Sequence, residues 1–217
     1  MSIAKGQTNC KAERNLVLQG FKEQLQVLST SQIEQENLFN LELNEINTDK
    51  TLSDEEKLTL RCKWTNQIQD MEQYHSRIRN SVFIGLYSYW EVSLREIISE
   101  HISVFVNIVS SAKKLNNLSV KDCLELIYGV TLPSSVCIIN NNLREFRNYM
   151  VHGNLTKKRE VLINTLVNMH SEFCIKSVCR TYFVSEYKGL FKLLTFLSQE
   201  LDRAENKIIE IKNNMVK

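Results

Sequence analysis

The stretch LREFRNYMVHG, residues 143–153, contains the pattern on which our assignment of the fold rests. Arg147, Asn148 and His152 form an Arg-Asn-x-x-x-His spacing that ends just before Gly153. Because an α-helix turns about 100° per residue, Asn148 and His152 lie nearly on one face, and Arg147 lies about 140° from His152. A long guanidinium can reach the same cleft from that position. Glycine commonly follows a helix C-terminus, so we expect His152 in the last turn.

Histidine and arginine at this spacing indicate acid–base chemistry on an anionic group. Histidine exchanges protons near neutral pH, which suits a general acid or base. Arginine stays charged, and its planar fork matches the oxygens of a phosphate. The alternative from the residues alone is a surface salt-bridging Arg147 and a His152 that only complements the helix dipole.

The spacing and the terminal glycine resemble the Arg-x4-His signature of the HEPN superfamily of helical domains. A second segment, SVFIGLYSYWEVSLREI at residues 81–97, resembles the preceding helix of that family, in which a Tyr or Ser is followed by an acidic residue. The resemblance covers the chain from about residue 81 onward. It implies an all-α fold, an antiparallel helical bundle of the HEPN type with long N-terminal and C-terminal helices.

Many HEPN proteins are metal-independent ribonucleases of toxin–antitoxin, anti-phage and CRISPR-linked systems. The resemblance implies that this chain cleaves RNA by transesterification from the 2′-hydroxyl, as a toxin or defence effector. It implies Arg147, His152 and Asn148 as catalytic residues, in a homodimer that pairs two motifs. The expected partners are RNA, a second copy, and an antitoxin or other defence-system protein. Two other functions stay open: a non-catalytic HEPN-like module that binds RNA or nucleotide, and a helical adaptor protein.

Two further residues are expected to support the motif. Glu91 lies away from the apolar stripe of its helix, and Arg144 lies two turns before His152. Each has an alternative, because Glu91 can pair with Arg95 on the same helix and Arg144 can pair with Glu145 or solvent.

A basic run, Lys157, Lys158 and Arg159, follows the motif after a short turn. Such a run is usually a solvated face. Its position beside the motif nevertheless makes it the best candidate for contacts with an RNA backbone.

The composition favours long helices in one domain. The 217 residues include one Pro and six Gly, so few residues interrupt a helix. The net charge of +2 provides no global basic field, so any contact with nucleic acid has to be local. We see no signal peptide or membrane span, and no glycine-rich loop or metal-ligand spacing, so we expect no membrane contact, no cofactor and no metal. The six cysteines lack a C-x2-C pair and predict free thiols in the cytoplasm.

We predict one HEPN-like domain over residues 1–217, with 1–80 as a helical extension or brace and 81–217 as the motif-bearing core. Residues 11–46 predict one kinked helix or two. Ser53 predicts a capping box, followed by an amphipathic helix with apolar residues from Leu60 to Val82 and a helix over 79–110. A short helix is predicted between Ser119 and Tyr128, and a loop around Pro133 and residues 140–142. The last predictions are a β-hairpin near 174–184 and a final helix from Ser185.

Overall fold

The computed structural model describes the backbone of residues 3–105 and 118–215, and the side chains of residues 11–105 and 118–215. The fold is the predicted all-α bundle with a small β-hairpin. The long helices are α1 (Ile3–Thr48), α2 (Asp54–Glu100) and α8 (Tyr187–Met215). Between α2 and α8 lie α3 (Ile102–Phe105), α4 (Val120–Tyr128), α5 (Ser134–Cys137), a π-helix (Ile138–Leu143), α6 (Arg144–His152), α7 (Lys157–Met169), a 3₁₀ turn (Ser171–Phe173), β1 (Ile175–Val178) and β2 (Thr181–Val184).

Helices α1 and α2 form an antiparallel pair joined by a tight turn. The predicted capping box at the start of α2 is confirmed, because the Ser53 hydroxyl accepts from the Glu56 backbone N–H and the Glu56 carboxylate accepts from the Ser53 N–H. Further along the pair, the Trp64 indole N–H donates to the Phe39 carbonyl at 2.7 Å. Ser119 and Asp122 form a second capping box at the start of α4, as their spacing predicts.

Helix α8 completes the bundle by packing against both α1 and α2. The Tyr187 hydroxyl at its start lies 3.0 Å from Nδ1 of His75, and Glu205 further along meets Arg14 of α1. Helix α8 therefore runs parallel to α2 and antiparallel to α1, which the long connection over residues 101–186 permits.

The core is formed by apolar stripes on the long helices, which the residues at helical spacing predict. The stripes of α2 and α8 are buried together with Phe146 of the motif helix α6. The core includes Phe83, Tyr87, Trp90, Leu94 and Ile97 of α2, Phe146 of α6, and Tyr187, Leu190, Leu194, Leu197, Leu201, Ala204 and Ile208 of α8. Across the described ranges, no helix combines the length and apolarity needed to cross a lipid bilayer.

The long helices differ from the prediction in their ends. Helix α1 is one helix rather than two. The amphipathic stretch after Ser53 and the helix predicted over 79–110 are one continuous helix, α2, which ends at Glu100. Residues 106–110 lie outside the described part of the chain.

The predicted loop is confirmed at Pro133 and wrong at residues 140–142. Pro133 lies in the non-helical segment 129–133 before α5, whereas the asparagines lie in the π-helix that continues directly into α6. The amides are buried with partners: Asn142 Nδ2 donates to the Leu162 carbonyl at 2.8 Å, and Asn140 Oδ1 accepts from Arg144 at 3.3 Å. A run of polar residues indicates a loop when water makes the hydrogen bonds of its side chains. Here other groups of the protein make those hydrogen bonds, so the run can be helical and buried.

The predicted hairpin is confirmed as the antiparallel pair of β1 and β2, with Ile175 opposite Val184. Its turn residues Cys179 and Arg180 have φ of 49° and 63°, the left-handed region that a tight two-residue hairpin turn requires. The segment before the hairpin packs so closely on α8 that a Cβ on Gly189 would lie 2.2 Å from the Phe173 carbonyl oxygen. Gly189 is therefore required for this contact.

Replacing Gly189 with Ala should lower the free energy of unfolding by about 1–3 kcal/mol, because the new methyl group meets backbone that cannot move freely. Gly20→Ala is the matched control, since a Cβ on this exposed helical glycine meets nothing within 4 Å. The control should raise stability by about 0.5–1 kcal/mol through helix propensity. Urea unfolding followed by circular dichroism measures both, and equal stability of the two variants would contradict the close contact.

Candidate functional site

The motif lies on α6, and the end of this helix determines where His152 stands. Gly153 follows with φ of 64°, and its backbone N–H donates to the Tyr149 carbonyl at 2.7 Å. The predicted C-terminal glycine is thus confirmed, and its left-handed conformation suits a residue without Cβ. His152 lies in the last turn and is exposed. No hydrogen bond joins its ring to another described side chain, so the ring is accessible to a bound molecule.

Arg147 is fixed by two neighbours rather than free in solvent. Its Nη2 lies 3.4 Å from Oε2 of Glu91 on α2, and its Nη1 donates to Oδ1 of Asn148 at 3.0 Å. The Arg147 side chain keeps 27% of its surface exposed, and that of Glu91 keeps 16%. Nε of Arg147 is buried and lacks a hydrogen-bond partner in the part of the chain that the structure describes. The guanidinium is therefore held in place by Glu91 and Asn148 while part of its side chain stays exposed, which suits it to bind an anion.

Glu91 thus contacts Arg147 of the motif. The predicted alternative, a side-chain pair with Arg95, does not form, because Arg95 Nη1 reaches the backbone carbonyl of Glu91 at 3.5 Å. Tyr87, one turn before Glu91, is a core residue whose hydroxyl donates to the Ile139 carbonyl at 3.5 Å. Burial, with a smaller contribution from the Glu91 carboxylate, raises the pKa of Tyr87 well above its ordinary value.

Arg144 lies at the start of α6 and binds within the protein. Its Nη1 donates to Asn140, and its Nη2 lies 3.7 Å from Oε1 of Glu145. The pairing with Glu145 is the alternative that the sequence left open. With 36% of its side chain exposed, Arg144 adds positive charge to the surface around the motif.

The basic run divides into two kinds of residue. Lys157 and Lys158 are exposed in the first turn of α7. Arg159 turns inward, where its Nε lies 2.8 Å from Oε2 of Glu145 and its Nη1 donates to the Asn154 carbonyl. The structure thus brings the run beside α6, with the two lysines available to a ligand and Arg159 joining α7 to α6.

Glu145 is the residue near this site that sequence reasoning underrated. It pairs with Arg144 and with Arg159, so it holds two cations of the site in place. The pairing with Arg159 crosses the turn at Gly153, and no helical spacing predicts it. Taken together, the site offers an exposed imidazole, an oriented guanidinium and two exposed ammonium groups, which can bind a polyanion and transfer protons on it.

The described cluster with metal-ligand geometry lies elsewhere. It consists of Glu100, His101 and Glu205, at the C-terminal end of α2 and the facing side of α8. Sequence reasoning missed this cluster because Glu205 is distant in the chain from the other two residues.

The comparisons with known proteins found no matching family model, no similar curated protein and no similar solved structure.

Proposed function

We propose that this chain is a metal-independent endoribonuclease of HEPN type, in which His152 transfers protons and Arg147 binds the reacting phosphate. The observation that supports this most is that one short helix, α6, carries both an exposed histidine in its last turn and an arginine held by Glu91 and Asn148. The exposed 27% of the Arg147 side chain adds to it, since a phosphate oxygen can reach the guanidinium there.

The proposed reaction uses the RNA as its own nucleophile. The ribose 2′-oxygen bonds to the adjacent phosphorus, and the bond from phosphorus to the 5′-oxygen breaks. A base accepts the proton of the 2′-hydroxyl and an acid donates a proton to the 5′-oxygen, which leaves a 2′,3′-cyclic phosphate and a 5′-hydroxyl. Arg147 stabilises the charge on the phosphorane. Asn148 accepts from Arg147 through Oδ1, so its Nδ2 remains to donate to a phosphate oxygen.

The chemistry favours a homodimer, because one histidine cannot easily act on both sides of the same phosphorus. A two-fold axis near α6 would supply a second His152 and a second Arg147. The surface there includes Val151, which is 48% exposed in the last turn of the helix. We propose that this turn lies at the dimer interface.

The setting we propose is a toxin–antitoxin or anti-phage system in the cytoplasm, with an antitoxin or other defence-system protein as partner. The family resemblance of residues 81–97 and 143–153 supports the setting. The free thiols among the described cysteines, Cys62, Cys123, Cys137, Cys174 and Cys179, support a reducing compartment.

A helical adaptor is the second candidate, and the apolar surface of the brace favours it. Leu16, Val27, Leu38 and Leu41 of α1 are each more than half exposed. Exposed apolar side chains along one helix are typical of a surface that binds another protein. In that case the brace would carry the function, and replacing His152 would change nothing.

His152→Ala should abolish RNA cleavage and leave the fold intact, because an exposed residue in the last turn contributes little packing. Arg147→Ala should lower the rate by about 10²–10³, the usual cost of a lost charge-stabilising contact. Arg147→Lys should restore little, since an ammonium lacks the fork. Cleavage of a labelled RNA under single-turnover conditions measures the rates, and circular dichroism checks the fold.

Two further variants make this experiment specific. His170→Ala is the control, because this histidine pairs with Glu172 away from the motif, and its cleavage rate should equal that of the wild type. Glu91→Gln should slow cleavage less than Arg147→Ala does, since the amide can still orient the guanidinium. Full activity of His152→Ala would reject the proposed mechanism and favour the adaptor.

The variant Val151→Cys is made in a background in which Cys62 and Cys179 are replaced by Ser. Its oxidation should yield a covalent dimer, because a two-fold axis near α6 brings residue 151 of both copies together. Val27→Cys, on the exposed face of α1, is the matched control and should remain uncrosslinked. Non-reducing electrophoresis and light scattering report the outcome. A monomer at micromolar concentration, or a crosslink at Val27 alone, would contradict the dimer.

Replacing Lys157 and Lys158 together with Ala should weaken RNA binding uniformly across sequences. If each lysine contacts one phosphate, the slope of log affinity against log salt should fall by about 1.4 for single-stranded RNA. Lys50→Ala with Lys63→Ala is the control, because both lysines are exposed and lie outside the motif region, Lys50 in the α1–α2 turn and Lys63 in the third turn of α2. Equal slopes in both double variants would assign Lys157 and Lys158 to an ordinary solvated surface. Arg159 should matter less for binding, because Glu145 already neutralises it.

A further inference from the structure

A buried charged cluster joins the three long helices at the C-terminal end of α2. Arg14 of α1 lies between two carboxylates, with Nη1 3.1 Å from Oε1 of Glu100 and Nη2 3.1 Å from Oε2 of Glu205. The side chains of Arg14, Glu100 and Glu205 are 7%, 14% and 11% exposed. Lys11 reaches Glu205 from the edge at 3.4 Å. Paired charges at this depth need nearly complete hydrogen bonding to be tolerated.

The pairing nevertheless leaves two polar atoms of the cluster without a partner. Oε2 of Glu100 and Nδ1 of His101 are buried and lack a hydrogen-bond partner within the described residues. His101 is 5% exposed and is the C-cap residue that directly follows α2. Buried polar atoms without partners are rare, and an ion is one of the few physical explanations for them.

The two residues that carry the orphaned atoms belong, with Glu205, to a set with the dimensions of a metal site. One ring nitrogen of His101 and one carboxylate oxygen from each of Glu100 and Glu205 lie within 4.8 Å of one another. We propose that Glu100, His101 and Glu205 bind a divalent transition-metal ion of the zinc class. One imidazole nitrogen with two carboxylate oxygens is a donor set that such ions accept, whereas Mg²⁺ and Ca²⁺ prefer oxygen alone.

The surroundings of the cluster agree with this assignment. A surface cleft of about 420 Å³ is lined by Glu13, Glu96 and Glu100 together with Arg14. The three carboxylates outnumber the one guanidinium, so the cleft attracts cations toward Glu100.

The metal would stabilise the helix junction and take no part in RNA cleavage. Glu91, which contacts the motif, and Glu100 are nine positions apart on α2. That separation is about 13–14 Å along the helix axis and about 180° around it, so the two carboxylates lie on opposite sides of α2. The inference is therefore independent of the proposed nuclease activity.

The test uses the full chain after removal of metal by a chelator, with Zn²⁺ as titrant and Co²⁺ as a spectroscopic probe. We expect one ion bound per chain, and a Co²⁺ spectrum without the charge-transfer absorption that thiolate ligands produce. His101→Gln should weaken binding by at least about tenfold, the lower end of the range for disturbed metal sites. His170→Gln, a surface histidine beside Glu172, is the control and should bind as the wild type does.

The variant Arg14→Met provides a second test, because a purely structural salt bridge would not change the affinity for Zn²⁺ in the expected direction. Removing the guanidinium frees Oε1 of Glu100 and Oε2 of Glu205, so the affinity for Zn²⁺ should rise by at least about tenfold. Zn²⁺ should also raise the melting temperature of this variant more than that of the wild type. Wild-type binding weaker than about 1 mM would overturn the proposal. An unchanged Zn²⁺ affinity in His101→Gln or in Arg14→Met would also overturn the proposal. If His101→Gln fails to fold, the Zn²⁺ affinity of Arg14→Met alone tests the proposal.

Discussion

The burial of the second half of α2, whose buried residues lie between Met71 and Ile98, is the constraint on which the rest of the structure depends. Its apolar side chains belong to the core shared with α8 and α6, and α2 also contacts α1 and β2. Arg79, which is 1% exposed on α2, donates to the Val184 carbonyl of β2 and lies over the Tyr187 ring. Because one rigid helix makes all these contacts, it also sets the position of Glu91 against the motif and of Glu100 against α1 and α8.

The features predictable from sequence are those that depend on neighbouring residues. The capping boxes at Ser53 and Ser119, the glycine after His152 and the hairpin near residues 174–184 each follow from short-range hydrogen bonding or backbone preference. The stripe of α8 is equally local, since one helix face must be apolar to be buried. The glycine that follows His152 likewise predicts that this histidine lies in the last turn of its helix.

The features that could not be predicted from the sequence depend on contacts between residues that are distant in the chain. The asparagines of residues 140–142 are helical because the Leu162 carbonyl and Arg144 satisfy their amides, and neither partner is evident from the run itself. The Arg159–Glu145 pair crosses the turn at Gly153. The cluster around Arg14 and Glu205 joins the first long helix to the last, so only the packed bundle brings its residues together.

The central claim is that Arg147 and His152 cleave RNA through its own 2′-hydroxyl. The most direct measurement offers the purified chain an RNA and the same sequence with a single 2′-deoxy nucleotide at the mapped cleavage position, in the presence of EDTA. The account predicts cleavage of the RNA to a 2′,3′-cyclic phosphate and a 5′-hydroxyl, and no cleavage at the 2′-deoxy position. Cutting at the 2′-deoxy position, or 5′-phosphate ends, would contradict it.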